Sequence, residues 1–169
     1  MNDAIVIGEE LYYAISLNEI LWGGVLLAVT MFIHASGMVL TLRASEFLNR
    51  CFGRSQSHVF LCGLSILIVA SWMLIGIHLV EVTIWAAFYI WKSAIANPSM
   101  AFYLALVNYC SLYSGYLPQS WRLLEGMLSM AGLLSFAWST GTLFLLAQEF
   151  QQRVLLPSDQ ATRKSLRNS

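Results

Sequence analysis

The sequence predicts an all-α integral membrane protein with three transmembrane helices and one re-entrant helix in each chain. Three apolar windows are long enough to cross about 30 Å of hydrocarbon, at a rise of about 1.5 Å per residue. A shorter apolar segment lies between the second and third windows. Hydrophobic residues make up 58% of the 169 residues and charged residues only 11%, whereas soluble domains carry about 25% charged residues. The composition therefore favours a chain that is embedded in lipid.

The apolar windows define the order of segments along the chain. The first window is interrupted only by His34, and the second contains His78 and Glu81. We expect an outer N-terminal segment (1–19), a first transmembrane helix (20–42), a loop (43–58), an outer helix with a pore loop (59–122, its helix over 59–91), an inner helix (123–148) and a tail (149–169).

The short apolar segment, residues 98–111, has too few residues to cross a bilayer. Asn97 can cap a helix there, and Pro98 suits the first helical position, where no backbone donor is needed. A turn rich in Ser, Tyr and Gly follows, with an apolar helix on each side. This layout predicts a re-entrant pore helix followed by a filter. The candidate filter residues are Ser111, Leu112, Tyr113, Ser114, Gly115 and Tyr116.

Basic residues cluster in the 43–58 loop and in the 149–169 tail, whereas residues 1–19 contain none. They are Arg43, Arg50 and Arg54 in the loop and Arg153, Arg163, Lys164 and Arg167 in the tail. The positive-inside rule places both segments in the cytoplasm. With three spans, the N-terminus then lies outside, and the re-entrant segment enters from the outer face.

Ionisable residues inside the predicted spans are candidate functional residues, because exposing them to lipid costs about 2.5–3.5 kcal/mol. His78 and Glu81 are three positions apart and share a helical face. They are either a hydrogen-bonded structural pair or a source of charge for an ion or proton pathway. His34 is interpreted as a packing residue. A proton or metal pathway that uses all three residues is kept as an alternative.

The predicted inner helix carries small or hydroxylated residues at spacings of three and four, from Ser129 to Thr142. Such a stripe could line a water-filled cavity, or it could allow close helix packing. In the first interpretation Ser135, Ser139 and Thr142 line the cavity, and Gly132 provides a gating hinge.

Three motifs resemble those of small bacterial ion channels related to two-transmembrane potassium channels. They are His78-x-x-Glu81-x-x-x-Trp85-Ala86-x-x-Tyr89, Trp121-Arg122-Leu123-Leu124, and Gly132-Leu133-Leu134-x-Phe136-x-Trp138-Ser139-Thr140. The 101–116 segment also resembles the pore loop of this family. The resemblance covers about two thirds of the chain. It implies a potassium-channel-like pore module with one extra N-terminal span. It further implies a homotetramer in the bacterial inner membrane that passes monovalent cations.

The filter departs from the family pattern. Aligned without gaps, Thr-x-Gly-Tyr-Gly-Asp falls on residues 111–116, so that Tyr113 replaces the first glycine, Ser114 the central tyrosine and Tyr116 the aspartate. A register shifted by two residues keeps Gly115 and Tyr116 as the Gly-Tyr pair but places Leu117 at the second glycine. Glycine adopts the positive φ angles of a carbonyl filter freely, whereas other residues are strained there. We therefore expect small cations to pass with weak or altered selectivity. The alternative from another class is a non-conducting scaffold or interaction protein that is derived from a channel.

Other classes of function lack support in the sequence. The net charge of zero gives no electrostatic basis for binding nucleic acid. We find no nucleophile–base pair, phosphate-binding loop or clustered metal-ligand motif, so no catalytic residue is assigned. We expect no enzymatic activity, no cofactor and no metal, with the lipid bilayer and further copies of the chain as partners.

Overall fold

The computed structural model describes residues 16–52, 59–112 and 114–167. This part of the chain is helical and contains no strand. Its elements are α1 (Leu17–Phe52), α2 (Val59–Trp91), α3 (Pro98–Tyr109), a short 3₁₀ turn (Gln119–Trp121) and α4 (Leu123–Arg167). Tyr113 of the candidate filter, Arg54 and the first fifteen residues of the outer N-terminal segment lie outside the described residues.

Three of the helices are long and apolar enough to cross a membrane. The segments that meet this condition are Leu17–Cys51, Phe60–Trp91 and Gln119–Gln152. The all-helical class and the three apolar spans are therefore confirmed. Their length and composition indicate a membrane-embedded protein, because a helix satisfies its backbone hydrogen bonds internally in lipid.

The helices extend further than the predicted spans at two ends. The second helix has the predicted bounds, Val59–Trp91. By contrast, α1 continues ten residues past position 42, to Phe52, and α4 continues through Pro157 to Arg167. Hydropathy locates the hydrocarbon layer and carries no information on where a helix stops in the polar region beyond it.

The start of α1 is a capping box, which explains why the helix begins at Leu17. The Ser16 hydroxyl accepts from the backbone N–H of Glu19 at 3.2 Å, and the Glu19 carboxylate accepts from the backbone N–H of Ser16 at 3.1 Å. The same carboxylate accepts from the backbone N–H of Leu123, the first residue of α4, at 3.2 Å. One buried acidic residue therefore satisfies donors at the beginnings of two helices.

The chain divides into two compact units. The first comprises residues 1–33 and 79–134, and its described members form a core rich in aromatic residues and alanine, including Trp85, Tyr89 and Tyr109. Within it, the Trp85 indole N–H donates to the Thr30 hydroxyl at 2.9 Å, which ties α2 to α1. Tyrosine and tryptophan can be buried at low cost when their polar atoms find partners.

The second unit comprises residues 34–78 and 135–169. Its described helices approach closely where a residue is small. A Cβ atom added to Gly37 on α1 would overlap the side chain of Ile77 on α2. The aromatic rings of Phe60 and Phe150 pack with centroids 5.7 Å apart. Small residues at helix contacts are typical of membrane proteins, because packing there drives helix association.

Candidate functional site

The start of α3 agrees with the sequence prediction. Pro98 occupies the first turn, and the Asn97 side-chain oxygen accepts from the backbone N–H groups of Ser99 and Met100 at 2.9 and 3.2 Å. The helix has 12 residues, so its length of about 18 Å falls short of the hydrocarbon thickness.

The end of α3 uses the first two candidate filter residues as a helix cap. Ser111 has φ of 62°, and its N–H donates to the Asn108 carbonyl at 2.9 Å, while the Leu112 N–H donates to the Val107 carbonyl at 3.0 Å. These two bonds form a Schellman motif. Serine in the left-handed conformation costs about 1–2 kcal/mol. Ser111 and Leu112 therefore terminate the helix, and their part in a filter stays a prediction.

The loop that follows the cap is held by one buried carboxylate. Glu125, which is 2% exposed, accepts from the Ser114 hydroxyl at 3.2 Å and from the backbone N–H groups of Gly115 and Leu117 at 3.1 and 3.0 Å. The Asn108 side-chain oxygen accepts from the Ser114 N–H at 3.2 Å. Glu125 also lies in the first turn of α4, where the positive end of the helix dipole stabilises a negative charge.

The position of Glu125 determines how the loop presents its carbonyl groups. In a trans peptide the C=O of one residue points opposite to the N–H of the next, and the described residues contain no cis peptide. Because the N–H groups of Gly115 and Leu117 face Glu125, the carbonyls of Ser114 and Tyr116 face away from it. Gly115 has φ of 67°, which glycine adopts without strain, and the Tyr116 side chain is 70% exposed.

The last turn of α3 is anchored by residues of α2 and α4. The Ser129 hydroxyl donates to the Asn108 carbonyl at 2.8 Å, and the Tyr109 hydroxyl donates to the buried carboxylate of Glu81. A Cβ atom added to Gly132 would overlap the Tyr109 carbonyl oxygen. In the described structure Glu81 therefore anchors the end of α3, and Gly132 allows α4 to approach it closely.

In the second unit, two histidines from different helices converge on one hydroxyl group. The Ser139 Oγ lies 3.3 Å from Nε2 of His34 and 3.1 Å from Nε2 of His78. The two imidazole rings have centroids 5.2 Å apart. The rings of Phe136 and Trp138 lie beside them, 4.7 Å from His78 and 6.2 Å from His34, respectively. His34 is buried, as a packing histidine would be, but it contacts another histidine.

The predicted cavity-lining residues are buried inside a single chain. Ser135, Ser139 and Thr142 are 0%, 6% and 7% exposed. Thr142 donates to the Trp138 carbonyl at 3.2 Å and contacts the Met38 sulfur at 3.3 Å. Residues that line a cavity between chains would be exposed on one chain taken alone. In the described structure these residues pack against other helices of their own chain, and a cavity-lining role stays a prediction.

Sequence reasoning did not single out Glu125 and Asn108, which hold the loop, or Tyr109, which contacts Glu81. A usable signal was present, because Glu125 and Asn108 are polar residues at the edges of apolar segments, where unsatisfied polar groups are costly. The partners of these two residues could not be inferred without the fold.

No protein-family model, curated protein or solved structure matches this chain. The similarity to small bacterial ion channels therefore stays a hypothesis that rests on sequence motifs. The structure itself contains three long apolar helices, together with the short helix α3, which is capped at both ends, and a loop that is hydrogen-bonded to the Glu125 carboxylate.

Proposed function

We propose that the chain forms a potassium-channel-like pore with a non-standard filter in the bacterial inner membrane. In this proposal α3 is a re-entrant pore helix, and four copies surround a common axis, so that their loops form a narrow entrance. Small cations pass down their gradient with weak or altered selectivity. The observation that carries the proposal is the pair of hydrogen bonds that the Gly115 and Leu117 N–H groups donate to the Glu125 carboxylate. Because of these bonds, the carbonyls of Ser114 and Tyr116 face away from the buried carboxylate.

Outward carbonyl groups favour cations over anions, because carbonyl oxygens can replace the hydration shell of a cation. The C-terminal end of α3, which carries about half a negative elementary charge, lies next to the loop and acts in the same direction. Strong selectivity for potassium needs several successive rings of backbone carbonyls around the pore, more than the two carbonyls named above can supply. The N–H groups of Ser111 and Leu112 fix the backbone in the turn that ends α3, so in this proposal the carbonyls that face the ions come from the loop after that turn.

The proposed orientation has the N-terminus outside and the C-terminus in the cytoplasm. It is supported by the arginine and lysine residues of the 43–58 loop and the tail. The loop that follows α3 then opens to the outer face.

The test is ion flux through purified protein in liposomes, with potassium, sodium and chloride compared. We expect cation flux well above that of empty liposomes, little chloride flux, and similar rates for potassium and sodium. Tyr116→Ala should change the flux, because the exposed ring lies in the candidate entrance. Tyr103→Ala is the matched control, since that ring is 57% exposed but belongs to α3. Strong potassium selectivity of the unmodified protein would contradict the proposal.

The use of Ser111 and Leu112 in the helix cap also favours a second candidate, a non-conducting scaffold with the same fold. Mass measurement in mild detergent separates the outcomes. A tetramer without flux supports the scaffold, whereas a stable monomer rules out the pore, because one loop cannot enclose an axis.

A further inference from the structure

His34 and His78 form a pair of possible metal ligands in the second unit. One ring nitrogen of each lies within 4.8 Å of the other, and the Ser139 Oγ marks the point on which both Nε2 atoms converge, at 3.3 and 3.1 Å. The histidines come from α1 and α2 and the serine from α4. The site therefore forms only when three helices are packed together.

Both side chains belong to the residue type that most often binds metal ions in proteins. Neutral imidazole is the form that binds metal ions, and it does so through a nitrogen lone pair.

We propose that His34 and His78 bind one divalent transition-metal ion of the zinc type, with the Ser139 hydroxyl beside it. Zinc–nitrogen bonds measure about 2.0–2.1 Å. A point midway between nitrogens at the 4.8 Å limit lies roughly 2.4 Å from each, so small ring rotations bring both nitrogens into bonding range. Two imidazoles and a hydroxyl suit zinc, cobalt, nickel or copper, whereas magnesium and calcium prefer oxygen ligands.

The surroundings of the pair match the requirements of such a site. His34 and Ser139 are buried, and the rings of Phe136 and Trp138 lie against the two imidazoles. Apolar side chains beside a site lower the local dielectric constant, which strengthens the interaction between a metal ion and its ligands. The proposal does not depend on ion conduction, since it concerns equilibrium binding to the folded chain.

The test is titration of the purified full-length protein, treated with a chelator and kept in detergent, with cobalt(II) as a coloured probe. We expect absorption bands from bound cobalt, one site per chain, and displacement by zinc but not by magnesium. His34→Ala and His78→Ala should each weaken binding by about 100-fold or more, since even changes outside the ligand shell cost about 10–100-fold. Thr41→Ala is the control, because that buried hydroxyl donates to the Gly37 carbonyl of its own helix.

Circular dichroism and elution volume show whether each variant folds. If the histidine variants do not fold, X-ray absorption of zinc bound to the unmodified protein decides the question, with two imidazole ligands expected. The proposal is overturned if the unmodified protein binds neither cobalt nor zinc, if folded His34→Ala and His78→Ala bind as the unmodified protein does, or if the bound ion has no imidazole ligand.

Discussion

Replacement of Glu125 tests whether one carboxylate holds the loop after α3. Its two oxygens accept from the Ser114 hydroxyl and from the backbone N–H groups of Gly115 and Leu117, at 3.0–3.2 Å. Hydrogen bonds to a charged group contribute about 1.5–3 kcal/mol each, and a buried donor left without a partner costs about 1–3 kcal/mol. The three bonds share one side chain, so their energies are not additive.

We expect Glu125→Ala to lower the free energy of unfolding by about 3–5 kcal/mol, because it removes at once the charged acceptor of three loop donors, of which the Leu117 N–H is buried. Glu125→Gln should cost less, about 1–3 kcal/mol, since the amide keeps one oxygen acceptor but brings an N–H₂ group towards a backbone donor. The matched control is Glu46→Gln. Glu46 is exposed and pairs with Arg50 at 3.7 Å, so its loss should cost less than about 1 kcal/mol.

Hydrogen exchange of the loop amides measures the effect locally. If Glu125→Gln lowers the opening free energy of the Gly115 and Leu117 amides by about 1.4 kcal/mol, their exchange becomes about tenfold faster. Exchange in α1 should stay the same. Unchanged exchange at both loop amides in folded Glu125→Gln protein would refute the reasoning, because it would mean that the carboxylate does not hold them.

Two further predictions concern packing and orientation. Gly132→Ala should destabilise the protein by about 1–3 kcal/mol, because the new Cβ overlaps the Tyr109 carbonyl. The control is Gly141→Ala, where a Cβ meets open space, and this change should be neutral or stabilising by up to about 1 kcal/mol. Equal effects of the two changes on thermal unfolding would contradict the close approach of α4 to α3 at Gly132. Orientation can be tested in a variant in which all native cysteines are replaced by serine. A membrane-impermeant thiol reagent applied outside intact cells should label Asn2→Cys but not Ser169→Cys. The reverse labelling pattern would show that the orientation is the opposite of the proposed one.

The sequence by itself determined the parts of this protein that depend on local interactions. The bounds of α2 and the start of α3 at Pro98 were predicted correctly, because apolar length and the Asn97 cap act within a few residues of the chain. The C-terminal ends of α1 and α4 were not predicted correctly, because a helix that continues into polar residues cannot be recognised from hydropathy. The capping role of Ser111 was also missed, because glycine is the residue usually expected at that position.

Only the tertiary structure decided which groups meet. A serine stripe with helical spacing can face either a cavity between chains or the other helices of its own chain, and the sequence pattern is the same in both cases. Packing placed Ser139 between two histidines that are 44 residues apart along the chain. It also brought Glu125 to the loop amides. These contacts depend on how whole helices pack. A buried polar group without a partner costs free energy, so packings in which such groups form hydrogen bonds are favoured.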